Sequence, residues 1–445
     1  MAEKTPEETM RKAISALAAL ALLAGQAFSC ARAATLDPIA PEEEGMSSER
    51  LGRIATIFNQ EVAAGRIPGA VVMVARGGHI VYRGAFGYAD KETGRKMTMD
   101  AIFRLYSMTK PMVSVAAMTL MEAGKLQLTD PVAKYLPEFS ALSVSVPAAN
   151  GLGQRSYALA PAARGPTIQD LLRHTAGLAY GEITTNTLVR EAYIKGRLYK
   201  PEFDYNVTDL APAEFVRNLA AAPLAYQPGT VWEYSLAVDL LGRVVEKISG
   251  ERLGDFLAER LFQPLGMADS GFSVPAEKGD RIAEPLARDP ASGAPIHLID
   301  VRKPPAEDSA GAGGVGTAQD YLRFAEMLVE GGRLDEQVIL SPTTLALMTS
   351  DQLGPSIRPI ISPGEMLLGV PGYSFGLGFM VRMVPGLAGV PGSVGEFMWA
   401  GYAGTFFWVD PAEQLAVVMM MQAPGPNRTW YRREIKDLVY QAIIE

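Results

Sequence analysis

Apolar runs that are typical of strands lie near both ends of the 445-residue chain. Residues 69–90 read GAVVMVARGGHIVYRGAFGYAD, two such runs separated by a Gly-Gly turn, which predicts a β-hairpin. Four further runs between residues 374 and 422 also predict strands: SFGLGFMVRMV, EFMWAG, GTFFWVD and QLAVVMMMQ. A helix is predicted after them, over roughly residues 430–444.

Between these strand-like regions, apolar residues recur at the spacing of one helix face. The segments with this spacing are 107–124, 167–175, 236–250, 253–266 and 317–332. Strands from both chain ends around a helical middle predict an α+β fold, with one mixed sheet built from both termini and an inserted helical domain. The expected domains are a sheet domain from 34–110 and 310–445 and an inserted, mostly helical domain from 111–309, with the active site at their interface.

An apolar stretch near the N-terminus predicts a signal peptide over residues 1–33. The stretch 13–28 is short for a membrane span, and an A-x-A sequence follows it at 31–33. Translation from Met10 would give it a basic start, MRKA, and Cys30 would be the lipidation site of a lipoprotein variant, although the residues before it are a poor lipidation signal. The processed protein would be periplasmic or secreted without a membrane span, and an unprocessed chain would be cytoplasmic.

Composition argues against several kinds of partner and cofactor. The formal net charge is −8 with no long basic run, so nucleic acid is not an expected partner. Cys30 is the only cysteine in the chain. Its removal with the predicted signal peptide would leave a protein without a disulfide, a thiol nucleophile or a thiolate metal site. The three histidines, His79, His174 and His297, are far apart in sequence, which argues against a histidine metal cluster. No metal or organic cofactor is expected, and the oligomeric state is undetermined.

Two motifs match known signatures but lack the context that those signatures need. Ser374 is the centre of the only G-x-S-x-G, yet a nucleophile elbow needs a strand before it and a helix after it. A loop precedes Ser374, an apolar run with two glycines follows it, and every histidine lies upstream. Residues 311–316, GAGGVG, follow KPPAEDSA rather than the strand of a dinucleotide-binding unit. We therefore interpret Ser374 as a strand residue and 311–316 as a turn.

The stretch Ser107-Met108-Thr109-Lys110 is the only S-x-x-K in the chain. At a helix start this spacing places the serine and the lysine on one face, about one turn apart. A lysine can accept the serine proton only if burial lowers its pKa from about 10.4, and the neighbouring apolar residues favour burial. By itself the pattern is weak, because about one match is expected by chance in such a chain. A solvated surface lysine would explain Lys110 as well.

The surrounding sequence resembles the serine β-lactamase/penicillin-binding-protein-like superfamily, and specifically the family VIII carboxylesterases, which share the class C β-lactamase fold. The resemblance implies a β-lactamase/transpeptidase-like fold, in which helices flank a mainly antiparallel sheet built from both chain ends. The resemblance extends from about residue 45 to 440 and rests on several motifs in the family's order. They are FRLYSMTKPMVSVAAMTLMEAGKLQLTDPVAKYLPEF (103–139), TIQDLLRHTAGL (167–178), PLAYQPGTVWEYSLAVDLLGRVVEKISG (223–250), GAGGVGTAQDYLRF (311–324) and WAGYAGTFFWVDP (399–411).

The resemblance assigns roles to individual positions. Ser107 would be the nucleophile and Lys110 its activating partner. Tyr234 takes the place of the superfamily tyrosine in Y-x-N and would share proton transfer, with the charge of Lys110 favouring a tyrosinate; which of the two is the general base is open. The backbone N–H groups of Ser107 and Tyr402 would form the oxyanion hole. The expected substrate-binding residues are Met108, Leu236, Trp399, Ala400, Gly401 and Tyr402.

Two departures from the superfamily pattern bear on the substrate. Leu236 replaces the asparagine of Y-x-N, and Trp399 replaces the lysine of K-T-G, both of which help the β-lactam enzymes to position their substrate. The expected activity is therefore a serine carboxylesterase that hydrolyses short neutral esters through an acyl-enzyme. The alternatives are a β-lactamase, a D-amino peptidase or an acyltransferase on the same scaffold, and a non-enzymatic ligand binder. His174, at the end of a helix, is expected to be structural.

Overall fold

A computed structural model describes residues 36–149, 155–201 and 209–445. Residues Leu36–Glu445 form one compact unit. The predicted signal peptide, with Met10 and Cys30, lies outside the described residues, and so stays a prediction. Within the described ranges, no helix has both the length and the apolar composition that a membrane span requires.

The strands come mostly from the two ends of the described chain. They are β1 (Gly69–Arg76), β2 (His79–Asp90), β3 (Arg95–Lys96), β4 (Phe103–Arg104), β5 (Ser143–Ala149), β6 (Arg155–Pro161), β7 (Val231–Trp232), β8 (Val315–Gly316), β9 (Arg333–Leu334), β10 (Gln337–Val338), β11 (Arg358–Pro359), β12 (Tyr373–Phe375), β13 (Met380–Arg382), β14 (Phe397–Ala400), β15 (Phe406–Asp410) and β16 (Leu415–Met421).

One eight-stranded sheet, in the order β12-β13-β14-β15-β16-β1-β2-β3, is the centre of the molecule. Every neighbouring pair in it is antiparallel. The two chain ends meet where β1 pairs with β16, with Met73 opposite Val418. The predicted antiparallel sheet built from both ends of the chain is therefore confirmed. The domain boundaries at residues 110 and 310 stay a prediction.

The helices flank this sheet and fill the middle of the chain. They are α1 (Ser48–Ala63), α2 (Thr109–Glu122), α3 (Ile168–Leu172), α4 (Thr187–Lys195), α5 (Pro212–Ala221), α6 (Ala237–Ser249), α7 (Leu253–Leu257), α8 (Gln263–Leu265), α9 (Ala318–Val329), α10 (Pro342–Met348), α11 (Pro363–Leu368) and α12 (Arg428–Tyr440). Helix α9 packs against β1, β15 and β16, and α1 packs against β2 and α12. Strands β1 and β16, in the middle of the sheet, are almost completely buried, because both faces of the sheet are covered there.

Two predicted elements differ in detail from the structure. The apolar run 374–384 contributes to two strands, β12 and β13, because Gly376 and Gly378 turn the chain between them. Gly378 has φ +94°, a conformation that favours glycine. The predicted helix 253–266 consists of α7, one π-helical turn (Ala258–Phe262) and α8.

A buried ionic cluster ties α12 to the sheet. Glu396, which is fully buried just before β14, accepts hydrogen bonds from Lys436 Nζ at 2.7 Å and from the Tyr440 hydroxyl at 2.9 Å. It also accepts from the Tyr373 hydroxyl at 2.8 Å and from Arg382 at 3.2 Å. A buried ion pair is tolerated when further hydrogen bonds satisfy its remaining atoms, as they do in this cluster. The cluster therefore holds α12 in a set position beside β14.

Candidate active site

Ser107 lies in a 3₁₀ turn, Tyr106–Met108, directly before α2, so the α-helix begins at Thr109 and not at the predicted residue 107. Tyr106 has φ +47°, which is uncommon for a non-glycine residue. The hydroxyl of Thr109 donates to Tyr106 O at 2.6 Å and accepts from Gly314 N at 2.9 Å. These bonds hold the strained turn, which is a feature often found at functional sites.

The structure brings Ser107 and Lys110 together as the S-x-x-K spacing predicts. Lys110 Nζ lies 3.1 Å from Ser107 Oγ. Lys110 is only 2% exposed, so the interpretation of it as a solvated surface lysine is wrong. Burial lowers the pKa of Lys110 to about 7, although the carboxylates of Asp239 and Glu182 partly oppose the shift. A large fraction of Lys110 is therefore neutral near pH 7 and able to accept a proton.

The glycine run 311–316 positions Lys110. Lys110 Nζ also donates to Gly311 O at 2.7 Å, while Gly311 N donates to Asp239 Oδ1 at 2.9 Å. A Cβ atom on Gly311 would collide with the Asp239 carboxylate, so only glycine allows this approach. The residues immediately before 311 form no strand. The prediction of a turn holds for 311–314 only, because Val315–Gly316 forms β8, which pairs with β4.

Tyr234 lies beside the same lysine. Lys110 Nζ is 4.7 Å from the centre of the Tyr234 ring, which also packs against Trp399 at 5.2 Å. Burial raises the pKa of Tyr234 well above 10, and the neighbouring Ser107 hydroxyl and Trp399 indole only partly oppose the shift. Desolvation therefore opposes the tyrosinate that the charge of Lys110 is expected to favour. At neutral pH Tyr234 is a phenol, a proton donor.

His174 lies behind Tyr234, 4.9 Å from it between ring centres. The histidine is 1% exposed, and its Nδ1 lies 3.2 Å from Ser235 Oγ. Burial and the charge of Lys110 hold the pKa of His174 well below 6.5, so the ring is neutral. This arrangement agrees with the structural role expected from the sequence.

The turn after β14 brings Tyr402 to the nucleophile. Gly401 N donates to Thr405 O at 2.8 Å, and the Thr405 hydroxyl donates to Leu105 O at 3.1 Å. A Cβ atom on Gly401 would collide with Leu105 O, so glycine allows the turn to lie directly against the segment that leads to Ser107. Ser107 and Tyr402, the two predicted oxyanion-hole residues, consequently line one cavity.

That cavity has a volume of about 410 Å³. The predicted residues in its wall are Ser107, Tyr234, Trp399, Ala400, Gly401 and Tyr402. Met108 and Leu236 are buried elsewhere in the core, so the substrate contacts predicted for them have no counterpart in the cavity wall. The backbone oxygen of Met108 instead accepts a hydrogen bond from the Tyr321 hydroxyl at 2.9 Å. A position close to Ser107 or Tyr234 in the sequence does not determine where a side chain points.

The rest of the cavity wall was missed by sequence reasoning. It consists of Glu182, Ile183, Tyr199, Pro201, Met366, Leu367, Pro426, Arg428, Thr429 and Arg432. These residues come from loops and from α11 and α12, and no motif marks them. Glu182 is exposed at the cavity, and desolvation by the surrounding protein raises its pKa to about 7. The cavity thus combines an apolar wall with a few titratable and cationic groups.

Ser374 is not part of this wall. It lies in β12, where its hydroxyl donates to the Asp351 carboxylate, and another strand, not a helix, follows it. The structure therefore lacks the strand–turn–helix context of a nucleophile elbow at this serine. Across the described ranges, no cluster of His, Cys, Asp and Glu side chains is arranged to hold a metal ion.

Comparison with known proteins agrees with this site. The sequence matches the family model named Beta-lactamase over residues 54–441. It is 36% identical over 372 residues to Protein Rv1367c of Mycobacterium tuberculosis, covering 81% of this chain and 86% of that protein. It is 35% identical over 408 residues to Esterase EstB of Burkholderia gladioli, covering 87% of this chain and 94% of that one.

A solved structure supports the same relationship. EstCE1, described as a hydrolase with promiscuous acyltransferase activity, superimposes with a TM-score of 0.70 at 31% identity, covering 88% of this chain and 99% of EstCE1. The recognition of a family VIII-type relationship and of the β-lactamase/transpeptidase-like fold is therefore confirmed.

Proposed function

The chain belongs to the beta-lactamase family and is a serine hydrolase related to esterases, and on this premise we propose that it is a carboxylesterase for short neutral esters. The observation that carries the proposal is the buried Ser107–Lys110 pair, with 3.1 Å between Oγ and Nζ, at the wall of an apolar cavity. A serine needs a neighbouring proton acceptor to become a nucleophile, and a lysine of pKa about 7 suits that role.

The proposed reaction proceeds through an acyl-enzyme. Ser107 Oγ attacks the ester carbonyl while neutral Lys110 takes its proton, and the N–H groups of Ser107 and Tyr402 hold the oxyanion. Tyr234 donates its proton to the leaving alcohol and regains one from the protonated Lys110. Water then attacks the acyl group, loses a proton to Lys110, and releases the acid as Ser107 is reprotonated. The raised pKa of Tyr234 and the lowered pKa of Lys110 suit these opposite roles.

The cavity wall supports the preference for neutral substrates. Trp399, Met366 and Leu367 offer apolar contact, worth roughly 0.8 kcal/mol for each buried methylene of the substrate. Arg428 and Arg432 are the cations of this wall, but their guanidinium groups already donate to main-chain carbonyls, which would compete with a substrate carboxylate. A β-lactam carboxylate would lose water on entering and would not find the lysine that Trp399 replaces. Burying an unpaired charge costs several kcal/mol, so neutral esters should bind better.

The test compares kcat/KM for p-nitrophenyl esters of increasing acyl length, benzylpenicillin and a chromogenic cephalosporin. We expect acyl chains of about two to six carbons to react fastest, because each added methylene gains contact until the cavity is filled. Weak cephalosporin turnover is compatible with the proposal, since the oxyanion hole also accepts a strained amide. A β-lactam that equals or exceeds the best ester would identify a β-lactamase instead.

Acyl transfer to an alcohol is a second candidate. The description of EstCE1 as a hydrolase with acyltransferase activity favours it. The same acyl-enzyme would react with an alcohol in place of water. The test adds 1-butanol to the p-nitrophenyl butyrate assay and measures the ratio of butyl butyrate to butyric acid. This ratio distinguishes acyl transfer from hydrolysis. Ester as the main product at low alcohol concentration would favour the transferase.

The activity should depend on pH through Lys110. Since its pKa lies at about 7 and the neutral amine is the active form, kcat/KM should rise with pH, reach half its maximum near pH 7 and level off roughly one unit higher. The carboxylate of Glu182 raises the pKa of Lys110, so Glu182→Gln should move the midpoint to lower pH. The measurement is the pH profile of p-nitrophenyl butyrate hydrolysis for both proteins. A flat profile, or a midpoint that rises in the variant, would contradict this role of Lys110.

A further inference from the structure

Arg432 is an unusual member of the cavity wall. It lies in α12, is only 5% exposed, and forms no ion pair with any carboxylate in the described part of the chain. Its guanidinium donates to two main-chain carbonyls, Gly401 O at 3.0 Å and Leu367 O at 2.9 Å. Burial and the nearby charge of Arg428 lower the pKa of Arg432 to about 9. Burying an arginine without an acidic partner costs folding free energy, so we expect the two hydrogen bonds of Arg432 to have a function.

One of those bonds holds the peptide between Gly401 and Tyr402. A trans peptide is planar, and its C=O and N–H groups point in opposite directions. None of the described peptide bonds is cis. Because Arg432 holds the Gly401 carbonyl, the N–H of Tyr402 must point away from the guanidinium.

The neighbouring groups are fixed as well. Gly401 N donates to Thr405 O at 2.8 Å, and Arg428 Nη1 donates to Tyr402 O at 2.7 Å. The carbonyls on both sides of the Tyr402 N–H are therefore each held by an arginine of α12. The buried cluster around Glu396 and Lys436 anchors the same helix to the sheet. The direction of this N–H is thus set by the position of α12.

We propose that Arg432 is a positioning residue that orients and polarises the Gly401–Tyr402 peptide, so that the Tyr402 N–H stabilises the oxyanion of the transition state. This inference rests on the proposed function, in which that N–H is one of two oxyanion donors. A charged donor on the carbonyl strengthens the N–H of the same peptide, because hydrogen bonds in a chain polarise one another. A preorganised donor acts mainly on the charge that develops in the transition state.

Arg433, the next residue, provides a matched control. Its Nη1 donates to Leu368 O at 3.2 Å, a carbonyl adjacent to the Leu367 carbonyl that Arg432 holds. Arg433 lies on the same helix and carries the same charge, but it does not contact Gly401. Removal of either arginine changes the net charge equally and loosens α11. Only removal of Arg432 releases the oxyanion peptide.

The experiment compares Arg432→Met, Arg432→Lys and Arg433→Met with the wild-type protein. For each, kcat and KM are measured with p-nitrophenyl butyrate, and binding with a trifluoromethyl ketone that forms a tetrahedral adduct on the serine. Removing an oxyanion donor costs roughly 10²- to 10³-fold in kcat, so misdirecting one should cost about 10- to 100-fold. We expect this loss for Arg432→Met in kcat and ketone affinity with KM nearly unchanged, a smaller loss for Arg432→Lys, and almost none for Arg433→Met.

A purely structural role would give a different pattern. Equal losses in Arg432→Met and Arg433→Met, or an effect of Arg432→Met confined to KM, would overturn the inference; the latter would make Arg432 a substrate contact. If Arg432→Met does not fold, the inference is tested with Arg432→Lys, which keeps the charge and one donor. Its kcat and ketone affinity are then compared with those of the wild-type protein and Arg433→Met. Failure of the proposed function is distinct, since the wild-type protein would then neither hydrolyse the ester nor form an acyl-enzyme on Ser107.

Discussion

Replacing Ser107 with alanine should lower kcat/KM for p-nitrophenyl butyrate by at least about 10⁴-fold, because the remaining groups cannot form the acyl-enzyme. Lys110 would keep its bond to Gly311 O at 2.7 Å, so the fold and the cavity should survive. The measurements are the steady-state kinetics of the variant and its melting temperature. A variant with more than about a tenth of wild-type activity would remove Ser107 from the chemistry.

Ser374→Ala is the matched control for this experiment. Ser374 lies outside the cavity wall and hydrogen-bonds to Asp351, so its loss should leave the kinetics within about twofold. A fluorophosphonate label, mapped by mass spectrometry, should be found on Ser107 in the wild-type protein and in Ser374→Ala. A label on Ser374 that disappears in Ser374→Ala would show that the G-x-S-x-G serine is the nucleophile after all.

Tyr234→Phe should lower kcat by about two to four orders of magnitude, the usual scale for losing a positioned acid or base. Its hydroxyl is buried and forms no hydrogen bond of normal geometry with any described residue, so the change leaves no partner unsatisfied. We therefore expect the melting temperature to stay the same or to rise slightly. The measurements are kcat with an alkyl ester such as ethyl butyrate, whose alkoxide needs a proton as it leaves, and thermal unfolding of the purified variant.

Tyr180→Phe tests whether the effect is specific to Tyr234. The two rings pack 5.1 Å apart, and Tyr180 also lies near Lys110, with 5.4 Å from Nζ to its ring centre. The proposed reaction gives Tyr180 no proton to carry, so its variant should keep kcat within about fivefold. Comparable losses in both variants would mean that the hydroxyls act by supporting the cavity. A Tyr234→Phe enzyme within threefold of wild type would remove Tyr234 from the mechanism.

Sequence reasoning was most successful where a feature depends on neighbouring residues. The strand patterns at 69–90 and 404–422 correspond to real strands, and the S-x-x-K spacing brings Ser107 to 3.1 Å from Lys110. Both are consequences of local backbone periodicity. Tyr234 and Tyr402 are 127 and 295 residues further along the chain than Ser107, and only the family resemblance associates them with it. No periodicity links positions at such separations.

The amino-acid sequence by itself determined the α+β class, a sheet built from both chain ends, and the spacing that brings Ser107 close to Lys110. Only the tertiary structure decided the chemistry of that pair, because a pKa depends on how completely distant residues exclude water. Asp239, Glu182 and the Gly311 carbonyl surround Lys110 from three other parts of the chain. Tertiary packing also places Arg432 against Gly401. It buries Met108 and Leu236 away from the cavity wall. Apolar periodicity specifies which face of an element is buried, but not which face of another element it meets.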